Sequence, residues 1–459
     1  MSKPPEFLNG FPPIVENLLA TDVTEPKSRR LPEACLVPPN NFLSASKTRP
    51  GYPLGRVHFN SIQNNVEKIP TKYLFEQPVE NFEPMVLLTY DKEEKRVVQH
   101  DRPFKDALPV NRTMVCIPEG IVADNSIGGP YRLNETYAIY LYQWLKWHPQ
   151  PFELGDFLDR KPKILDVPGL GVQISSWTGF VYNHFLLDTF VRIGLVYDLL
   201  KSDLPLWKDA KLIIATSDPN PTRNHTKGPA VHKFVRWMYD RLNLTDRLIS
   251  NNGWLKESNH TYRFEYLVLP DVSPHPTCGT DRRVKLDPCF PRGVLRPIQT
   301  ALGSLVSNVR RYVVYAHRSN NIPRGVSRER ERDMLASVQS LLDERRSNLE
   351  LITFEVDKGD PERTLKTYQQ AAVTFGPHGA QLWNGALSPP GGLFVEFNTW
   401  NDTFLNDDCR AHGYSLANAA GLDYALVEAT NFSYSKPGLL PDVEALVEIM
   451  RHFLDRKGW

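Results

Sequence analysis

At 459 residues the chain is long enough for two or three domains, each with its own core. A hydrophobic content of 41% and an aromatic content of 11% describe an ordinary globular protein. The net charge of +1 supplies no electrostatic reason for a nucleic-acid or anionic-membrane partner.

In chain order, residues 1–85 are rich in Pro and Asn with little periodicity, and predict a stem or extension. Short apolar runs follow at Met85–Leu88 and Val115–Ile117, and Tyr137–Trp147 has the spacing of an aromatic-rich helix. Helices are predicted over Asn183–Leu200 and Val231–Leu242, with strands at Lys211–Ala215 and Tyr266–Leu269. The last region alternates more clearly. Strands are predicted at Tyr312–Tyr315, Leu349–Glu355, Val373–Phe375, Leu393–Phe397 and Ala425–Val427. Between and after them come helices at Arg328–Arg346, Glu362–Ala371 and Asp442–Arg456. In the first of these helices Met334, Leu335, Val338, Leu341 and Leu342 form the inner face. This alternation predicts an α/β fold with parallel sheets: two Rossmann-like domains, 86–305 and 306–435, facing a cleft, then a C-terminal helix in 436–459.

Three constellations carry chemistry. Thr374-Phe375-Gly376-Pro377-His378-Gly379-Ala380 leads from an apolar run through a glycine turn into a short helix, and the next strand bears Glu396. Backbone N–H groups behind such a turn suit a diphosphate, and a carboxylate at the ligand edge of an open sheet suits ribose hydroxyls. Arg318 follows a strand, where its guanidinium can clamp a diphosphate; Arg324 is either a second clamp or a solvated loop charge. The run Arg328–Arg332 predicts an exposed helix face with intrahelical pairs. Finally, His184 and Asp188 lie four apart on one helix face, as a general base or as a structural pair.

The chain has no phosphate-loop Gly-x-x-x-x-Gly-Lys motif, no Gly-x-Ser-x-Gly elbow, no His-Glu-x-x-His and no Asp-x-Asp. The last absence predicts that arginine and helix dipoles, not a metal held by that motif, neutralise a nucleotide leaving group. Five cysteines show no zinc spacing; Cys278 and Cys289 bracket a loop, as a local disulfide or as two thiols. Seven Asn-x-Ser/Thr sequons stand at Asn111, Asn134, Asn224, Asn243, Asn259, Asn401 and Asn431, more than average composition supplies. The start Met-Ser-Lys-Pro-Pro-Glu has no apolar signal region, and no window is long and apolar enough to span a membrane. The sequons therefore lead to the expectation of a native form in the Golgi or endoplasmic reticulum lumen, held by an N-terminal anchor absent from this sequence. The alternative is a cytoplasmic protein with idle sequons.

The order Tyr182-Asn183-His184-Phe185-Leu186-Leu187-Asp188, a strand ending in Arg318 with Arg324 beyond, Gly376-Pro377-His378-Gly379-Ala380, and Val395-Glu396-Phe397 resembles glycosyltransferase family 61 over roughly residues 165–430. That family includes plant cell-wall xylosyl- and arabinosyltransferases and animal O-linked N-acetylglucosaminyltransferases. The resemblance implies a B-type two-domain architecture and an inverting, metal-independent hexosyl- or pentosyltransferase with no cofactor. A UDP-sugar would be the donor, carrying xylose, arabinose or N-acetylglucosamine, and a hydroxyl of a glycan or glycoprotein the acceptor. It assigns the diphosphate to Arg318 and the His378-Gly379-Ala380 turn, the ribose to Glu396, and the acceptor side to His184 and Asp188, with Asp188 preferred as base. Arg328 departs from the pattern, standing where family members commonly have Asn. A GDP-sugar-dependent transferase and a non-catalytic glycan- or protein-binding relative are the alternatives.

Overall fold

The structure, a computed structural model, describes residues 43–44, 74–78, 85–100, 111–118, 121–123, 130–131, 163–174, 182, 185–215, 232–251, 260–271, 291–303, 309–320, 322–355, 360–398, 412–431 and 436–459. They divide into two compact units, one made of 1–78, 111–232 and 243–273, the other of 79–110, 233–242 and 274–459. Both are mixed α/β with parallel strand pairing. Among the described residues no helix is long and apolar enough to cross a membrane.

The first unit holds a mixed sheet. Lys163–Gln173 pairs in parallel with His260–Asp271 and Lys211–Ala215, and Lys211–Ala215 pairs in parallel with Leu248–Asn251. On the other side Asn111–Pro118 runs antiparallel to His260–Asp271, and Leu74–Pro78 antiparallel to Asn111–Pro118. Lys163–Gln173 escaped the sequence reading because it contains Pro168 and Gly169. Those two residues fall where the register with His260–Asp271 shifts between Phe264 and Tyr266, so the missing N–H interrupts no regular ladder. Leu74–Pro78, within the segment read as an extension, is likewise a strand.

The helix predicted over Asn183–Leu200 is two elements: a π-helical turn Phe185–Thr189 and an α-helix Phe190–Leu200. Every residue of the α-helix except Asp198 is buried, so this is a core helix covered all round and not an amphipathic one.

The second unit is built on a sheet whose parallel part runs, in space, Glu350–Phe354, Tyr312–Ala316, Ala371–Pro377, Leu393–Asn398, Asp423–Thr430. A hairpin of Leu87–Asp91 and Arg96–His100 extends it, Leu87–Asp91 pairing in parallel with Asp423–Thr430. Residues 87–100, expected in the N-terminal domain, therefore hydrogen-bond into this sheet. Ala371–Pro377 and Leu393–Asn398 are buried at every position, as parallel strands covered on both faces are.

Helices Arg328–Glu344 and Val443–Lys457 pack Met334, Val338, Leu341, Leu342, Ile449 and Phe453 into one core with the sheet. Their starts are local chemistry. Ser327 accepts from Arg330 N, Asp360 from Arg363 N ahead of Pro361–Tyr368, and Asp442 from Ala445 N. Gly458, at φ 67, ends the last helix.

Candidate functional site

Numbered by appearance, the parallel core has the order 2-1-3-4-5, and its connections reverse direction between Tyr312–Ala316 and Ala371–Pro377. Ligands of open α/β sheets bind outside the carboxyl ends of strands at such a switch point. Arg318 follows the carboxyl end of one of these two strands, and the Gly376–Gly379 turn follows that of the other. The strands end so close together that a Cβ on Gly376 would lie 2.8 Å from the carbonyl oxygen of Ala316.

The loop after Tyr312–Ala316 is tied down on several sides. Arg318 Nε donates to Pro323 O at 2.7 Å, and Arg324 N donates to Lys436 O at 3.1 Å. Gly438 N and Leu439 N both donate to Gly325 O, at 2.9 and 3.0 Å. Arg324 is held at φ 65, a left-handed conformation that costs a non-glycine residue about 1 kcal/mol and is kept where surroundings impose it. Glu331 anchors the loop from the helix. Its carboxylate meets His317 Nδ1 at 2.7 Å and Asn320 Nδ2 at 2.9 Å. This corrects the reading of the Arg328–Arg332 run as an exposed face with intrahelical pairs. Glu331 turns inward, and Arg330 Nε donates to Pro441 O at 2.8 Å. Arg328 itself is exposed as the first residue of the helix.

Both arginines converge on the glycine turn. Arg324 Nη1 donates to His378 O at 3.0 Å. A Cβ on Gly379 would lie 2.9 Å from Arg318 Nη1 and 3.4 Å from Arg324 Nη1. Gly379 is required twice over, by this approach and by its φ of 139 and ψ of −172. Desolvation, and then the neighbouring Arg324 guanidinium, pulls Arg318 down to about 10. Two like charges pressed together in a partly desolvated position are poised for an anion.

Behind the turn, His378 is 2% exposed and Glu396 is 0% exposed. His378 Nδ1 bonds Glu396 Oε1, and Tyr424 OH donates to Glu396 Oε2 at 2.5 Å. The first turn of helix His412–Ala420 passes directly over this carboxylate, so closely that a Cβ on Gly413 would collide with it. The resemblance has Glu396 meeting a ribose, yet both its oxygens are engaged by side chains of the chain itself.

The predicted helix behind the turn is a single turn, Ala380–Trp383, followed by the 3-10 segment Asn384–Leu387. So short a helix adds little dipole, and the arginines carry the positive charge. Ala380 is partly buried at its start.

Asp188 sits in the π-helical turn Phe185–Thr189 of the first unit, a rare geometry often found at functional sites. His184, Cys278, Cys289, the Tyr137–Trp147 helix and the sequons Asn134, Asn224, Asn259 and Asn401 lie outside the described residues. Asn111 opens a strand, and Asn243 and Asn431 are exposed.

Sequence reasoning missed His317, Glu331 and Tyr424. His317 stood beside Arg318 and was given no role. Tyr424 is 28 residues from Glu396 and carries no local signal.

Residues 182–395 match the family model described as Glycosyltransferase 61. The matched segment contains Asp188, Arg318, Arg324 and the whole turn Gly376–Ala380, and ends one residue before Glu396. No curated protein matches the chain. With the glycine turn and its two arginines inside it, the matched segment supports membership of glycosyltransferase family 61 and a glycosyltransferase activity.

Proposed function

We propose that this glycosyltransferase is inverting and metal-independent, and moves xylose, arabinose or N-acetylglucosamine from a UDP-sugar to a hydroxyl of a glycan or glycoprotein. The observation that carries the reading is the convergence of Arg318 and Arg324 on Gly379 at the switch point of the sheet. A guanidinium pair at that point matches the shape and charge of a diphosphate. When the bond from the anomeric carbon to the diphosphate breaks, the developing negative charge falls on an oxygen already faced by two cations. Preorganised charge of this kind is the largest single contribution to most such reactions, and it does the work that a metal held by Asp-x-Asp would otherwise do.

Asp188 is the base in this proposal. It takes the proton of the acceptor hydroxyl as that oxygen attacks the anomeric carbon, from the side opposite the departing UDP. The arrangement requires the B-type architecture, two Rossmann-like domains about a cleft, which belongs to the same proposal. So does a native location in the lumen of the secretory pathway.

Calorimetric titration of UDP and of GDP in EDTA tests the donor class, on the wild type and on Arg318→Ala. Binding of UDP without metal, lost in Arg318→Ala, is the expected result. Binding of GDP in its place would move the chain to the GDP-sugar class. Binding of neither would overturn the donor reading in favour of a binding role. Asp188→Ala is expected to keep UDP affinity and lose turnover by about a hundredfold or more; near-normal turnover would remove Asp188 as the base.

A further inference from the structure

We propose that Glu396 is a positioning residue for the diphosphate turn and not a ligand of the ribose, and that it acts through His378. The inference rests on the donor reading above.

The geometry leaves the carboxylate little else to do. Glu396 is 0% exposed, its Oε1 bonds His378 Nδ1, and its Oε2 accepts from Tyr424 OH at 2.5 Å. The first turn of helix His412–Ala420 closes over it at Gly413. Two partners thus offset the cost of burying the carboxylate, an imidazole and a phenol hydroxyl, and Gly413 closes the space above it. A ribose hydroxyl would have to displace one of them.

What Glu396 does instead follows from its partner. A carboxylate can only accept, so the proton of the pair sits on His378 Nδ1, and the ring plane is set by the same bond. The edge of the Trp383–His378 pair braces the ring further, at 5.7 Å between centroids and 90° between planes. Meanwhile the backbone carbonyl of the same histidine accepts from Arg324 Nη1 at 3.0 Å. His378 is therefore gripped from inside by Glu396 and from outside by Arg324. Gly379, the residue over which both guanidiniums lie, is the next in the chain. Loosening the inner grip moves the platform on which the clamp is built.

Two thermodynamic comparisons separate the roles. UDP, UMP and 2′,3′-dideoxy-UDP are titrated against the wild type and Glu396→Gln. The UDP-to-UMP affinity ratio reports the β-phosphate, and the UDP-to-dideoxy ratio reports the ribose hydroxyls. Expected in Glu396→Gln is a drop of about tenfold in the first ratio, with the second unchanged within about twofold. His378→Asn should reproduce that pattern, and it serves as the second variant if Glu396→Gln does not fold. Collapse of the UDP-to-dideoxy ratio with the UDP-to-UMP ratio intact would overturn the proposal and make Glu396 the ribose ligand. An equal loss for all three nucleotides would also overturn it, leaving Glu396 a purely structural residue.

An independent readout is the nitrogen chemical shift of the His378 imidazole. Nδ1 should be the protonated nitrogen in the wild type. In Glu396→Gln, with Tyr424 still donating to the amide oxygen, the amide NH2 faces Nδ1 and drives the proton to Nε2. An unchanged shift would sink the relay. Failure of the wild type to bind any of the three nucleotides would overturn the donor reading and the clamp with it, while the imidazole shift would still decide whether Glu396 sets the histidine.

Discussion

Arg324 reaches across 54 residues of chain to donate from Nη1 to the carbonyl of His378 at 3.0 Å. One side chain thus ties the loop after one strand to the turn after its neighbour. The bond is charge-assisted, and such bonds contribute about 1.5–3 kcal/mol when they are lost from a partly buried site. Arg324→Ala is expected to lower unfolding free energy by about 1–2 kcal/mol, read from urea midpoints, and to weaken UDP by at least tenfold. Arg324→Lys should restore part of the stability and little of the affinity, since an ammonium lacks the second donor arm.

Arg318 should behave differently, because its charge works against the fold. Its folded value of about 10 lies below the ordinary guanidinium range, so the group stays charged at neutral pH but its charge costs more in the native state than in the unfolded chain. That penalty is present in full below pH 10 and fades as pH rises toward the unfolded guanidinium's own value. The drop is worth about 3 kcal/mol unscreened and roughly half that at this partial exposure. The bond to Pro323 O, 2.7 Å long, offsets a similar amount. Arg318→Met should therefore unfold within about 1 kcal/mol of the wild type while losing UDP binding. A large stability loss would show that the guanidinium is there to hold the loop.

Gly379→Ala introduces a methyl 2.9 Å from Arg318 Nη1 at a backbone φ of 139. The strain costs about 1–3 kcal/mol, and the methyl pushes the guanidinium off the turn. Reduced thermal stability together with lost UDP binding is expected. Retained binding would mean that the diphosphate does not approach this residue.

Asn243 and Asn431 are exposed, and each sits in the left-handed region, at φ 55 and 58, next after Leu242 and Thr430. On passage through the secretory pathway both are expected to carry glycans, visible as mass loss on enzymatic deglycosylation. Complete absence of modification on protein recovered from that pathway would speak against a lumenal enzyme.

Much of the second unit is legible in the sequence. The predicted strand Tyr312–Tyr315 is extended only to Ala316, and the helix predicted over Arg328–Arg346 runs Arg328–Glu344. Four of its five predicted inner residues are buried, and Leu335 packs partly buried against the same core. These elements carry strong local signals: apolar runs for covered parallel strands, a 3.6-residue period, and capping by Ser327, Asp360 and Asp442. The first unit was harder. Lys163–Gln173 hides its strand character behind Pro168 at a register shift, and Phe190–Leu200 is buried on all sides, which blurs its period.

The sequence by itself determined which segments could be strands and helices, that a glycine turn follows one strand, and that an arginine follows another. Those are consequences of spacing along a few residues. Only the tertiary structure decided that the two strands are neighbours at the switch point, so that Arg318 and Arg324 share Gly379, and that Glu396 faces His378 and Tyr424. In a strand buried on both faces, alternation no longer tells one side from the other, and the partner a side chain meets is set by the order of strands far apart in the chain.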